Sequence, residues 1–110
     1  MIDRKKRNRF RLLREVARQI VDGVHPQKII LFGSHASGKP NKDSDVDLLI
    51  VMQSRKKPVE RAVDVSKTLR FHPFPMDILV RTPQELKKRL LLGDVFFREI
   101  LTKGKVLYES

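Results

Sequence analysis

Two aspartates, Asp45 and Asp47, stand two residues apart at the mouth of an apolar run that continues through Leu48, Leu49, Ile50, Val51 and Met52. In a strand, residues at i and i+2 project to one face, so this spacing predicts two carboxylates side by side. Like charges that close raise each other's pKa and weaken the fold unless a cation sits between them. Mg2+, held by one or two carboxylates and by substrate phosphates, would remove that penalty. Upstream, Gly33-Ser34 closes a second apolar run, Ile29-Ile30-Leu31-Phe32. Glycine lets the backbone approach a phosphate closely, and free amides at the start of a helical turn attract anions. The combination predicts metal-assisted chemistry on a nucleotide. Gly33, Ser34, Asp45 and Asp47 are its nucleotide-binding residues, and Asp45 and Asp47 its metal ligands. The plain alternative is a pair of exposed strand-end aspartates satisfied by turn amides.

The elements that must position these residues follow from periodicity. Residues from about Asp3 to Asp22 read as a helix with an apolar stripe of Phe10, Leu13, Ala17, Ile20 and Val24, ended by Gly23 and Pro26. Lys28 to Phe32 reads as a strand buried on both faces. Ser34 to Ser37 is placed in a short helical turn, and Asp45 to Met52 in the second strand. Pro58 opens a helix to about Arg70, with Val59, Ala62, Val63 and Leu69 turned inward. Met76 to Val80 is a third strand. Thr82-Pro83-Gln84-Glu85 carries a capping box with proline at the first helical position. The helix it starts is interrupted at Gly93 and resumes from Asp94 to Thr102, before a short edge strand at Val106 to Tyr108. This order predicts a single domain over residues 1–110, of mixed α/β (α+β) class, with a small mixed sheet of three to four strands packed with helices.

Asp77 interrupts the third strand, where an unpaired charge is costly to bury. If that strand neighbours the second, Asp77 completes a catalytic triad of Asp45, Asp47 and Asp77 and serves as a third metal ligand. The alternative is an outward-facing aspartate on an edge strand. Asp43, Asp64 and Asp94 are weaker rivals. His25, His35 and His72 lack metal-ligand spacing; His35 reads as a polar loop residue, with a nucleotide contact as its sharper alternative. Phe71, Phe74, Phe96 and Phe97 are assigned to the core, and Tyr108 to a structural role. The apolar set Leu90, Leu91, Leu92, Val95, Phe96, Phe97, Ile100 and Leu101 exceeds one helix face, so part of it is a candidate interface with a partner or in a homodimer.

Composition narrows the class. An apolar fraction of 40% with 34% charged residues suits a globular domain. There is no cysteine, no apolar run long enough to span a bilayer and no secretory h-region, which predicts a cytoplasmic protein without disulfides. The net charge of +11 suits contact with polyanions, or a lysine-rich surface that is simply stable. Much of it lies on the first helix, in Arg4, Lys5, Lys6, Arg7, Arg9, Arg11, Arg14 and Arg18. That face is a candidate for nucleic acid or an acidic partner, against the ordinary reading of a solvated helix face.

Gly33-Ser34, ten intervening residues and then Asp45-Val46-Asp47 resemble the active-site motif of the DNA polymerase β-like nucleotidyltransferase superfamily. The small size and the element order resemble its minimal nucleotidyltransferases across nearly the whole chain. The resemblance implies transfer of a nucleoside monophosphate from an NTP, usually ATP, with two Mg2+ ions. It also implies a helical HEPN partner, an RNase toxin that the nucleotidyltransferase silences as its antitoxin by adenylylating a tyrosine. One departure stands out. Many members carry Gly-Ser-x-Ala-Arg-Gly, whereas here Ser37 occupies the arginine position, with Lys39 and Lys42 as candidate replacements. The competing readings are a non-catalytic module that binds the HEPN protein by contact alone and a nucleic-acid-binding regulator.

Overall fold

In a computed structural model that describes residues 4–37 and 45–110, and their side chains apart from those of 4–7 and 37, the two apolar runs pair with each other. Lys28–Phe32 (β1) and Val46–Val51 (β2) are antiparallel, with Phe32 opposite Asp47. Met76–Arg81 (β3) lies parallel to β2 on its other side, and Lys105–Glu109 (β4) lies antiparallel to β1. The order β3-β2-β1-β4 makes β3 and β4 the edges. The central strands read as near-continuous hydrophobic runs because helices cover both faces.

One face packs against the helices Arg4–Val24 (α1) and Pro58–Lys67 (α3). Ile29, Leu31, Val46, Leu48 and Ile50 meet Leu13, Val16, Ala17, Ile20, Val65 and Leu69 there. Each such aliphatic side chain contributes roughly 1.5–3 kcal/mol relative to exposure. The other face presents Ile30, Leu49 and Val51 to Leu86 of Pro83–Leu91 (α4) and to Phe97 and Ile100 of Val95–Lys103 (α5). Between β1 and β2 the chain forms the short helix Ser34–Ser37 (α2), as its turn residues indicated. No described helix is long and apolar enough to cross a membrane.

Several boundaries and faces differ from expectation. Gly23 does not end α1; it lies in the last helical turn because Thr68, just after α3, packs where its side chain would be. The stop falls at His25, whose φ is +49°, and at Pro26. Phe10 is half-exposed and lines a groove of about 780 Å³ between α1 and β4. In α3 the inward face is not Val59 and Val63, both exposed, but Arg61 and Val65. Arg61 is buried because its guanidinium reaches Glu85 Oε1 at 2.6 Å, its Nε donates to the Lys56 carbonyl at 2.7 Å and the Val80 carbonyl takes a longer bond at 3.4 Å. The capping box forms as read: Thr82 Oγ1 accepts from the Glu85 amide and the Glu85 carboxylate accepts from the Thr82 amide.

Candidate functional site

The parallel register of β2 and β3 sets Asp47 directly beside Asp77. Asp47 and Asp77 stand two residues before Leu49 and Leu79 of the α4/α5 face, so both carboxylates project to that side. Phe32 belongs to the same row, one strand further, through its pairing with Asp47. Asp45 precedes β2 by one residue, and its charge is felt at Asp47. The three aspartates selected from the sequence therefore meet at one end of one sheet face. Asp77 is exposed, so the argument from the cost of burying it does not hold; β3 is an edge strand and Asp77 faces water beside Asp47.

Asp47 is the partly buried member. Its carboxyl is pushed above the ordinary aspartate range, first by burial, then by the charges of Asp77 and Asp45, with His35 pulling the other way. Among the described residues, no hydrogen bond or ion pair satisfies Asp45, Asp47 or Asp77. No ion pair among the described residues neutralises these three neighbouring carboxylates.

Gly33 is fitted to this cluster. Its φ of +77° lies in the left-handed region, and a Cβ there would fall on Oδ2 of Asp47. Ser34 begins α2 directly after it. The Gly-Ser turn and Asp47 are thus in contact rather than merely near in sequence.

A residue assigned only to the basic face of α1 also arrives here. Arg9 Nη1 lies 3.3 Å from His35 Nδ1, and since a guanidinium carries only donors, Nδ1 accepts. The 26-residue separation gave no local signal of this pairing. Arg18 is occupied by Glu15 and Asp22 on its own helix, whereas Arg11 and Arg14 are exposed with no ion pair among the described residues. Asp43, Lys39 and Lys42 lie outside the described residues, as does the side chain of Ser37.

A family model described as "Nucleotidyltransferase domain" matches residues 11–107, which span β1, the Gly-Ser turn, β2 and the Asp77 strand. The chain belongs to this nucleotidyltransferase family. A protein of Methanocaldococcus jannaschii named "Putative protein adenylyltransferase" is 32% identical over 83 residues, covering 74% of this chain and 78% of that one. A crystal structure titled as a "putative nucleotidyltransferase from Sulfolobus solfataricus" matches with a TM-score of 0.66, over 94% of this chain and 83% of its own, at 20% identity. That likeness supports the nucleotidyltransferase fold, a four-stranded mixed sheet packed with helices.

Whether the site suits Mg2+ turns on its donors. Asp45, Asp47 and Asp77 offer hard carboxylate oxygens, the donor type that Mg2+ prefers, and no ion pair among the described residues occupies them. Among the described residues, no three His, Cys, Asp or Glu side chains close tightly enough to enclose an ion by themselves. An ion shared between one or two carboxylates and substrate phosphates does not require such a cage. The nucleotidyltransferase site therefore fits a metal that arrives with its nucleotide.

Of the apolar set on α4 and α5, Phe97 and Ile100 are buried while Leu91, Leu92, Val95 and Phe96 are exposed. Phe96, assigned to the core from sequence, leaves about half its surface in water. A groove of about 420 Å³ runs along the free edge of β3, lined by Asp77, Ile78, Val59, Ala62 and Val63. Val59, Ala62 and Val63 of α3 thus border β3, whereas Leu69 is buried in the core as expected.

Proposed function

We propose that the chain transfers a nucleoside monophosphate, AMP from ATP, to a hydroxyl of a protein acceptor, in a reaction that requires Mg2+. The carrying observation is the row Asp47–Asp77, with Asp45 beside it and Asp47 packed against Gly33. The relative named as a protein adenylyltransferase supports a protein acceptor. A tyrosine on a HEPN-type helical partner is the acceptor this reading favours, which makes the chain the antitoxin of such a pair.

Gly33 and Ser34 would receive the triphosphate, and Asp45, Asp47 and Asp77 would hold Mg2+. Bound there, Mg2+ neutralises the triphosphate and lowers the pKa of the attacking hydroxyl. The acceptor oxygen forms a bond to the α-phosphorus as the bond to the bridging oxygen breaks, and pyrophosphate leaves with that electron pair. Asp77, exposed beside the β3 groove, is placed to take the hydroxyl proton. The chain's own part is mostly position and charge, as in phosphoryl transfer generally.

The test is incubation with Mg2+, α-labelled ATP and a HEPN-type protein from the same genome. Label on a tyrosine of the partner, lost with EDTA, is the expected result. Tight binding of the partner without label would support the non-catalytic module instead.

A further inference from the structure

Phe32 and Phe96 stand beside the carboxylates on the same face of the sheet. Phe32 is the register partner of Asp47. Phe96, in the first turn of α5, meets Phe32 edge to face with centroids 5.9 Å apart and planes at 89°. It meets Phe97 the same way at 5.2 Å and 74°. Phe97 is buried and is fixed in turn by the Arg81 guanidinium, 5.7 Å from its centroid. Phe96 is thus clamped by two edge contacts yet remains 53% exposed. A ring so placed gives up much of the gain from burial while keeping a fixed orientation.

We propose that Phe96, backed by Phe32, is the stacking platform for the base of the bound nucleoside triphosphate. The inference rests on the nucleotidyltransferase reading and adds a base subsite to it. Its side of the site selects this occupant. Asp77 and its groove lie on the β3 side of Asp47, the side that the nucleotidyltransferase reading leaves for the acceptor. Phe32 lies on the β1 side, next in sequence to Gly33 of the phosphate turn. A base is tethered through its ribose to the α-phosphate, so it must rest near Asp47, and Phe96 is an exposed ring packed on Phe32, the register partner of Asp47. Base–aromatic stacking works with any base, and a ring already fixed by its neighbours loses little freedom when the base arrives. A second copy of the chain is disfavoured as the occupant, because it would bring +11 against +11, whereas a triphosphate carries the opposite sign.

Titration calorimetry in Mg2+ with ATP and with inorganic tripolyphosphate tests the subsite. Phe96→Ala is expected to weaken ATP binding about tenfold, the lower part of the range for one stacked base, while leaving tripolyphosphate unchanged. The chain contains no tryptophan, so Phe96→Trp creates a single reporter. Its emission is expected to be quenched by ATP and unaffected by tripolyphosphate. Wild-type ATP affinity in Phe96→Ala, or unaltered Phe96→Trp emission at saturating ATP, overturns the subsite while leaving the nucleotidyltransferase reading in place. Absence of Mg2+-dependent binding of both ligands to the wild-type chain overturns that reading, and the subsite with it.

Discussion

The α-carbon of Gly33 lies so near the Asp47 carboxylate that any side chain at 33 would occupy the position of Oδ2. Gly33→Ala therefore meets two obstacles. The left-handed φ costs an L-residue roughly 1–2 kcal/mol, and the methyl must displace a proposed metal ligand. Thermal melts are expected to show a loss on the order of 5–10 °C. Mg2+-dependent ATP binding should fall by more than that loss of stability explains. A variant that melts lower but binds ATP normally would show that the close approach serves only the turn.

Asp47 carries the opposite kind of strain. Burial, then Asp77 and Asp45, raise its folded pKa. A raised carboxyl contributes stability below the unfolded value near 3.8, and that contribution is lost as pH rises through the folded value. At neutral pH without a metal, the ionised Asp47 weakens the fold. Asp47→Asn should thus melt higher than wild type at pH 7 in EDTA, with the gap closing as the pH falls below about 4. The same change should remove any Mg2+-induced rise in Tm and lower turnover on the order of 10³-fold, the scale of several kcal/mol of lost charge stabilisation. Melts across pH, with and without Mg2+, check both halves.

Arg61 and Glu85 tie α3 on one face of the sheet to α4 on the other. The Arg61 guanidinium, hydrogen-bonded to it, holds the Glu85 carboxyl at about 2 against an ordinary 4.5, with the Thr82 amide also contributing. Its stabilisation is present above about 4.5 and is lost as pH falls toward about 2. Glutamine at 85 can still cap the helix, so Glu85→Gln isolates the charge. It is expected to lower stability by about 1 kcal/mol at pH 7, below the full range of hydrogen bonds to charged groups because Glu85 is more than a third exposed to solvent. Denaturant titrations at pH 7 and near pH 2.5 should show that deficit shrinking at the lower pH. A constant deficit would assign the effect to packing.

What could be read in advance was whatever local rules control. The shared face of Asp45 and Asp47 needs only the strand period, and Thr82 with Glu85 needs only the spacing of a capping box. The short helix at Ser34 and the break at Gly93, with its φ of +81°, are equally local. The failures depended on distant residues. Arg61 turns inward because Glu85, Val80 and Lys56 await it, and no periodicity in α3 carries that information. Gly23 was read as a helix stop because the packing of Thr68 against it is set 45 residues later. Phe10 falls in the apolar stripe of the first helix by periodicity and Phe96 in the core by type, but both are half-exposed, since hydrophobicity gives a preference and not a place. That Asp77 would stand beside Asp47 required a strand order, which the Asp77 segment does not encode by itself.

Asp77 allows the sharpest separation of roles among the three carboxylates. It is exposed on an edge strand, and among the described residues no ion pair holds it. Asp77→Asn should leave Tm unchanged or slightly higher, because removing its charge relieves the repulsion that raises Asp47. Gly33, Ser34, Asp45 and Asp47 remain to receive Mg2+ and the triphosphate, so affinity for ATP is expected to change less than about threefold, under 0.7 kcal/mol. If Asp77 takes the acceptor proton, turnover should fall by about 10²–10⁴-fold, the range for a general base. Calorimetric ATP binding and label transfer measured on one preparation distinguish the outcomes. An equal loss in both would make Asp77 a binding ligand, and full transfer by the variant would remove it from the site.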